Sequence, residues 1–342
     1  MPSPFNARPL RNPEAALTKV ACRDATQALN IEGLKYDYIL VYTFMHVVAL
    51  LAVLPWLFSW TGVIVMLISV HIFGMWGIVI GYHRLLSHRS FRVPTWLERT
   101  LATCALCTLQ RTPARWVAWH RAHHRYSDRH EDPHTPLAGT LWAHVLWLVR
   151  GTHDGDDQWF STETYAHDIL RDPYYRWVEG LPSASLVFFL AHGAMIAVIT
   201  GASFVFLYGP TDEAGRMTLS VLLWGVVVRT IVVWHVTWSV NSITHTFGYR
   251  NFDTPDASRN NWLVALLACG EGWHNNHHAD PSSATLRVRW WEFDLAFAAI
   301  AMLARLGLAS DVVQPRHIRA SAHGGPFDSA HSVTAVAQED HS

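Results

Sequence analysis

Histidine occurs in three clusters along this chain, and their spacing can gather imidazole side chains at one point. The second and third clusters have the pattern H-x-x-H-H, which places three histidines on one face of a helix. The first cluster has two histidines five residues apart, which cannot share a face of a regular α-helix, so we expect them to straddle a helix end. The clusters are His83 and His88; His120, His123 and His124; and His274, His277 and His278.

One more histidine belongs with these clusters. Asn241 and His245 are four residues apart and therefore share a helix face. His245 would be a ninth imidazole ligand, and Asn241 is positioned to hold a metal-bound water. Zinc sites usually close at four ligands, whereas this larger number suits a pair of irons, with copper as the alternative. Histidines that occur singly in apolar segments are interpreted as packing or hydrogen-bonding residues; these are His46, His71, His192 and His235.

Acidic residues near the clusters are candidates to orient the imidazoles through their second ring N–H. Asp128 and Glu271 are the main candidates, because Asp128 follows the second cluster and Glu271 lies three residues before His274. The alternative is that they form an ordinary solvated surface. The same two interpretations apply to Glu131, Asp132 and Asp280.

The composition indicates a membrane protein. Half of the 342 residues are hydrophobic and only 15% are charged, below the roughly 25% usual for soluble proteins. The net charge of −1 gives no basic patch for nucleic acid, and the 17 tryptophans suit membrane interfaces. Four scattered cysteines give no disulfide framework. Cys104 and Cys107 form a C-x-x-C in an apolar run, where packing is favoured over a redox or metal role.

Four apolar segments are long enough to cross a bilayer, which takes about 20 residues per helix. They form two hairpins, so the termini and the histidine clusters fall on one side. Every Lys and Arg except Arg216 and Arg229 lies on that side, which identifies it as cytoplasmic. We expect the membrane to be a bacterial inner membrane. We expect an all-α integral membrane protein whose helical cytosolic cap holds the metal site. The expected segments are a polar 1–33; a membrane domain 34–309 with spans 38–58, 63–82, 186–208 and 217–241 and cap sections 83–181 and 245–291; and a disordered tail 310–342.

The motifs from about His71 to Asp294 resemble those of the membrane fatty-acyl desaturases, the delta-9 or stearoyl-type group. They read GYHRLLSHRSF, WHRAHHRYSDRHEDPH, TWSVNSITHTFGYR and GEGWHNNHH. The resemblance implies a four-helix membrane stem with a cytosolic cap, two irons, and an O2-dependent cis double bond in a long-chain acyl group. It assigns the nine histidines above as iron ligands and Asn241 as a ligand through water.

The resemblance also predicts residues that contact the substrate. Gln110, Trp116 and Thr237 would stand at the bend of a narrow acyl tunnel, the alternative being ordinary packing. Arg150 falls near a position that contacts the head group, although Gly151 replaces the basic residue expected beside it.

Other positions differ from the acyl-CoA desaturases of animals. Ala118 and Trp119 stand where those enzymes have an Arg-Asp pair that contacts the coenzyme, so the pattern is closer to bacterial members, some of which act on lipid-linked chains. No cytochrome b5 motif is present, so we expect a separate electron donor, a ferredoxin or a cytochrome b5-type protein with its reductase. The alternative functions are a related di-iron hydroxylase or decarboxylase, and a membrane metal transporter or sensor.

Overall fold

Four long apolar helices dominate the computed structural model, which describes residues 31–152 and 161–316. Each is long and apolar enough to cross a membrane, at 1.5 Å of rise per residue. Large apolar side chains such as Val198 and Phe206 are exposed on their outer faces, where lipid would solvate them. The predicted stem is confirmed. The helices are α1 (Tyr36–Val53), α2 (Trp60–Ser87), α6 (Ala184–Tyr208) and α7 (Asp212–His245).

Shorter helices form the cap. Proline at the first position of α4 fits because the first helical N–H has no partner within the helix. Their bounds are α3 (Thr95–Leu106), α4 (Pro113–Tyr126), α5 (Pro173–Gly180), α8 (Trp262–Leu267), α9 (His274–Ala279) and α10 (Leu295–Arg305), with short helical turns at Pro136–Ala138, Trp142–Leu146, Trp147–Val149, Thr162–Tyr165 and His167–Leu170. A further short turn, Pro55–Leu57, connects α1 to α2.

One short β pairing accompanies the helices of the predicted all-α fold. Among the described residues, β1 (Ile31–Leu34) pairs antiparallel with β2 (Arg150–Thr152), and Leu34 lies opposite Arg150. The strands have four and three residues, too short for an alternating pattern to reveal them. The pair joins the segment before α1 to the end of the cap helices at 142–149.

The membrane helix α2 continues past its predicted end at residue 82, and its second half is widened. Val70–Ser87 has i→i+5 hydrogen bonds, the π-helical pattern, which is rare over such a length. Gly77 lets α3 lie against this segment, because a Cβ there would be 2.7 Å from the backbone nitrogen of Ala105. The widened helix therefore packs closely on the cap and carries His83 inside it.

Arg229, buried in α7, has its partners within the helix bundle. Its guanidinium donates to the carbonyl of Cys107 (3.0 Å) and to Nε2 of His192 (2.8 Å), and it lies 4.2 Å from the ring centre of Phe73. His192 is thus an acceptor for a buried cation. Cys104 and Cys107 are free thiols, and Cys107 is buried, which agrees with the packing interpretation.

The end of the described chain is folded beyond the predicted boundary at residue 309. The backbone N–H of Val313 donates to the carbonyl of Ser90, and that of Arg316 donates to Asp280. A tail beginning at 310 is therefore too early, because these contacts join segments distant in sequence. Residues 1–30 and 317–342, which hold most of the predicted polar N-terminus and tail, lie outside the described residues.

Candidate metal centre

The structure brings all nine predicted histidines together, in two groups. In each group, one nitrogen of every imidazole lies within 4.8 Å of the corresponding nitrogen of every other member. Helices α4 and α9 contribute to both groups because the H-x-x-H-H pattern spreads three imidazoles over about 100° of one helix face. The five-histidine group is His83, His88, His120, His124 and His277, and the four-histidine group is His123, His245, His274 and His278.

His83 and His88 lie on either side of the end of α2, and their rings point to the same place. Their ring centres are 4.8 Å apart, and the N–H of His88 donates to the carbonyl of His83 across five residues. The i→i+5 pattern of α2 has more residues per turn than an α-helix, so a spacing of five comes closer to the same face. His88 itself lies just past the helix end, as predicted.

Carboxylates hold the outer ring nitrogens of four of these histidines. Nδ1 of His83 lies 2.8 Å from Glu271, and Nδ1 of His245 lies 3.0 Å from Asp128. The sequence named both carboxylates as candidates but did not predict these partners. Asp132 and Asp256 do the same for His123 and His278, each at 2.9 Å. A carboxylate at Nδ1 fixes the ring orientation and leaves Nε2 directed at the centre. Asp280 binds Arg316 instead, and Glu131 is exposed, so neither orients an imidazole.

Glu271 belongs to a buried ionic network under the centre. Arg84 donates to Glu271 at 2.8 and 2.9 Å and to Asp294 at 3.0 Å. Burial alone would raise the pKa of the Glu271 carboxyl, but His83 and Arg84 lower it to about 2. Asp294 also accepts from the N–H of Phe297 at the start of α10. Arg84 thus ties the histidine-orienting carboxylate to the rest of the cap.

The imidazoles are arranged as neutral donors of lone pairs. Burial, reinforced by neighbouring imidazoles, holds the pKa well below its ordinary value for His88, His120, His123, His124, His274 and His277. Metal ligands must be in this unprotonated form.

The contacts inside the four-histidine group provide a test of whether these residues fit a metal. His123 and His278 each donate Nδ1–H to an aspartate, so the Nε2 atom of each neutral ring carries a lone pair. These two Nε2 atoms lie 3.3 Å apart. Two lone pairs at that distance repel each other, and a cation that both can bind removes the repulsion. The donor set therefore fits a metal ion, and imidazole is a ligand for iron, zinc and copper alike.

Two cavities meet at the histidine groups. We name one the valine cavity, for Val70, Val79, Val233, Val236 and Val240 in its lining, and the other the tryptophan cavity, for Trp116, Trp119, Trp147, Trp234 and Trp238. They share four lining residues: Trp116, His120, Thr237 and Asn241. A chain passing from one cavity to the other would therefore run beside His120.

Two of the three predicted tunnel residues, Trp116 and Thr237, line both cavities, and Gln110 lines the tryptophan cavity beside them. Gln110 donates to the hydroxyl of Thr237 at 3.1 Å, and the ring of Trp116 stacks on His120 with the ring centres 5.1 Å apart. Asn241 lines both cavities on the α7 face that carries His245. Arg150 instead lies on β2 with an exposed side chain, and it does not line either cavity.

Sequence reasoning missed several residues that contact the centre or its cavities. Asp256 lies in a loop 22 residues before His278, where no pattern marks it. His134 has its ring 4.2 Å from that of His123, and its position in the quoted motif HEDPH was a usable signal. Arg84 directly follows a ligand candidate, which was also a signal. Arg111, in the tryptophan cavity, follows the predicted Gln110.

Comparison with known proteins identifies the family. The family described as fatty acid desaturase matches residues 58–309. The chain belongs to the fatty acid desaturase family. It is 40% identical over 268 residues to an sn-1 stearoyl-lipid 9-desaturase of Anabaena variabilis, covering 78% of this chain and 90% of that one. It is 37% identical over 285 residues to an sn-2 palmitoyl-lipid 9-desaturase of Nostoc sp. (strain 36), covering 83% and 92%. An acyl-CoA 5-desaturase of Anemone leveillei is 36% identical over 278 residues, covering 80% and 78%.

This desaturase is therefore an oxidoreductase of lipid metabolism, which acts on a fatty acyl chain in a membrane environment. The prediction of the family and of the enzyme class is confirmed. The membrane transporter or sensor is not supported.

Proposed function

We propose that this desaturase introduces a cis double bond at or near carbon 9 of a long saturated acyl chain linked to a membrane glycerolipid. The observation that carries the proposal is the junction of two apolar cavities beside His120, where a chain would lie against both histidine groups. The relatives named as stearoyl-lipid and palmitoyl-lipid 9-desaturases support the lipid-linked chain and the position.

The two groups would hold two iron ions. The five-histidine group would bind one, and the four-histidine group the other, with Asn241 completing it through a water. Bound iron would supply the O2-dependent oxidation that removes hydrogen from an unactivated methylene, which no acid or base of the chain can do. Asp128 and Glu271 orient His245 and His83, and Arg84 keeps Glu271 ionised.

The chain's own residues position the substrate and keep water out. The valine cavity offers an apolar lining to the methyl end, and the tryptophan cavity receives the carboxyl end. The hydrogen bond from Gln110 to Thr237 and the stacked pair of Trp116 and His120 narrow the passage between them. A bend fixed by these contacts would favour a cis product, because fixed geometry selects which hydrogens are removed.

The residues at positions 118 and 119 argue against acyl-CoA as the substrate. Ala118 is buried and Trp119 has its ring beside Arg111, so neither offers the charged pair that the acyl-CoA enzymes of animals use. Arg150 is a candidate for a contact with a lipid head group at the surface.

We place both termini and the metal centre on the cytoplasmic side, from the distribution of Lys and Arg. Electrons would come from a separate ferredoxin or a cytochrome b5-type protein.

The test is product analysis. The protein loaded with Fe2+, a reducing system and O2 is given a stearoyl or palmitoyl glycerolipid, and the same acyl groups as CoA thioesters. We expect an olefin lighter by two hydrogens, from the glycerolipid in preference to the thioester. An added oxygen would make the enzyme a hydroxylase, and loss of the carboxyl carbon a decarboxylase. Preference for the thioester would refute the substrate.

A further inference from the structure

A cationic side chain lines the tryptophan cavity next to the predicted tunnel residues. Of the described residues lining the two cavities, Arg111 is the one Lys or Arg. It is 9% exposed, and its guanidinium carbon lies 3.6 Å from the ring centre of Trp119 and 4.9 Å from that of Tyr38. Lys35 stands nearby, with its ammonium 5.5 Å from the Tyr38 ring centre. We call Lys35, Tyr38, Arg111 and Trp119 the cationic mouth.

The backbone holds Arg111 in an unusual conformation. Its φ of +73° lies in the left-handed region, which a non-glycine residue adopts only when its surroundings enforce it. Its carbonyl accepts a hydrogen bond from Tyr82 of α2. The backbone of Arg111 is thus fixed against α2, and its guanidinium lies over the ring of Trp119.

The cationic mouth lies where a bilayer lipid carries its ester groups. Tyr38 is in the first turn of α1, and Lys35 immediately precedes that membrane helix. The start of a span marks the boundary between hydrocarbon and head groups. A guanidinium at this level meets ester and phosphate oxygens, and it can donate two parallel hydrogen bonds to them.

The cationic mouth and the histidine groups border one continuous passage. Arg111 lines the tryptophan cavity, which shares Trp116, His120, Thr237 and Asn241 with the valine cavity. A chain whose ester is held at Arg111 and whose methyl end lies in the valine cavity therefore passes His120 at a fixed number of carbons from the ester.

We propose that Arg111 binds the ester oxygens at the carboxyl end of a glycerolipid acyl chain and thereby sets which carbons are desaturated. The inference rests on the proposed function and adds the residue that measures the chain. The ester supplies only an acceptor, so Arg111 acts by binding and positioning.

The experiment compares Arg111→Gln and Arg111→Lys with Arg115→Gln, a matched control that removes an exposed arginine four residues away. Double-bond position is determined by mass spectrometry, KM and kcat are measured, and binding of a fluorescent palmitoyl glycerolipid is followed separately. Loss of charged hydrogen bonds to the ester should raise KM and the dissociation constant at least about tenfold. The double bond should spread over several positions in Arg111→Gln, and Arg111→Lys should partly restore both values.

A structural role alone predicts lower activity with one unchanged double-bond position, and that result in an iron-loaded Arg111→Gln protein would overturn the inference. If Arg111→Gln does not fold, the same measurements are made on Arg111→Lys, which keeps the charge and loses only the paired hydrogen-bond donors. A KM and a double-bond position equal to those of the wild type in Arg111→Lys would then overturn the inference. An equal KM increase for glycerolipid and acyl-CoA would indicate that Arg111 recognises the acyl carbonyl of either substrate, and would overturn the glycerolipid assignment. A wild type that binds the lipid through Arg111 but forms no olefin would contradict the proposed function only.

Discussion

Glu271→Gln tests whether the buried carboxylate under the centre controls metal binding. The substitution keeps the shape of the side chain but removes the charge that holds Nδ1 of His83 at 2.8 Å and receives two hydrogen bonds from Arg84. Loss of such an orienting partner typically weakens metal binding by about 10- to 100-fold, which corresponds to about 1.4–2.7 kcal/mol. We expect the iron-loaded variant to lose iron to a chelator faster by a comparable factor.

The same change should also lower stability. Breaking one buried ion pair costs about 3–5 kcal/mol, and the lower end applies here because Arg84 keeps Asp294 at 3.0 Å. The control is Glu213→Gln, which removes an exposed carboxylate 2.6 Å from Arg216. Iron per chain after chelation and thermal unfolding are measured on all three proteins. Iron retention by Glu271→Gln equal to that of the wild type and the control would refute the role of the Arg84 network in metal binding.

Three further predictions concern other parts of the site. Gly74 lines the valine cavity, and even a Cβ at this position would be 3.2 Å from Val233. Gly74→Val should therefore reduce the maximum length of acyl chain that the enzyme desaturates. Unchanged products from a series of acyl chain lengths would contradict this. His88→Ala should lose about half of the bound iron, measured by metal analysis of the purified protein. The control is His71→Ala, which removes an exposed histidine of α2 and should keep the iron content of the wild type. Burial alone would raise the pKa of Asp168, but Arg121 and Arg89 lower it to about 2. Asp168→Asn should therefore lower the unfolding temperature at pH 5–7, and this difference from the wild type should vanish as the pH falls from about 4 to 2. A difference in unfolding temperature that persists at pH 2 would refute the ion pair.

The features that could be predicted from the sequence are those that depend on local residue patterns. The four spans follow from apolar length, and the two H-x-x-H-H motifs follow from helical periodicity, so the positions of His120 and His277 relative to their neighbours needed no tertiary information. The family motifs then supplied Gln110 and Thr237, which the structure joins by a hydrogen bond.

Features that depend on contacts between distant segments were not predictable in this way. Arg84 and Asp294 are 210 residues apart in the sequence. The strands at 31–34 and 150–152 are separated by α1, α2 and the first helices of the cap. Asp256 looked like one acidic loop residue among several until the fold set it against His278. Such partners leave no periodic signal, because only the tertiary structure brings them together.

The meeting of His83 and His88 in one group could not be predicted for a different reason, which is that regular helix geometry does not describe the end of α2. A spacing of five residues turns about 500° in an α-helix, which leaves the two side chains roughly 140° apart. The i→i+5 bonds of α2 reduce that offset, and they coincide with the segment where Gly77 admits the backbone of α3 at close range. His88 lies just past the helix end, where helical periodicity no longer sets its direction. The wider turn and the helix end together bring two imidazoles with four residues between them into the same group, and the spacing alone reveals neither feature.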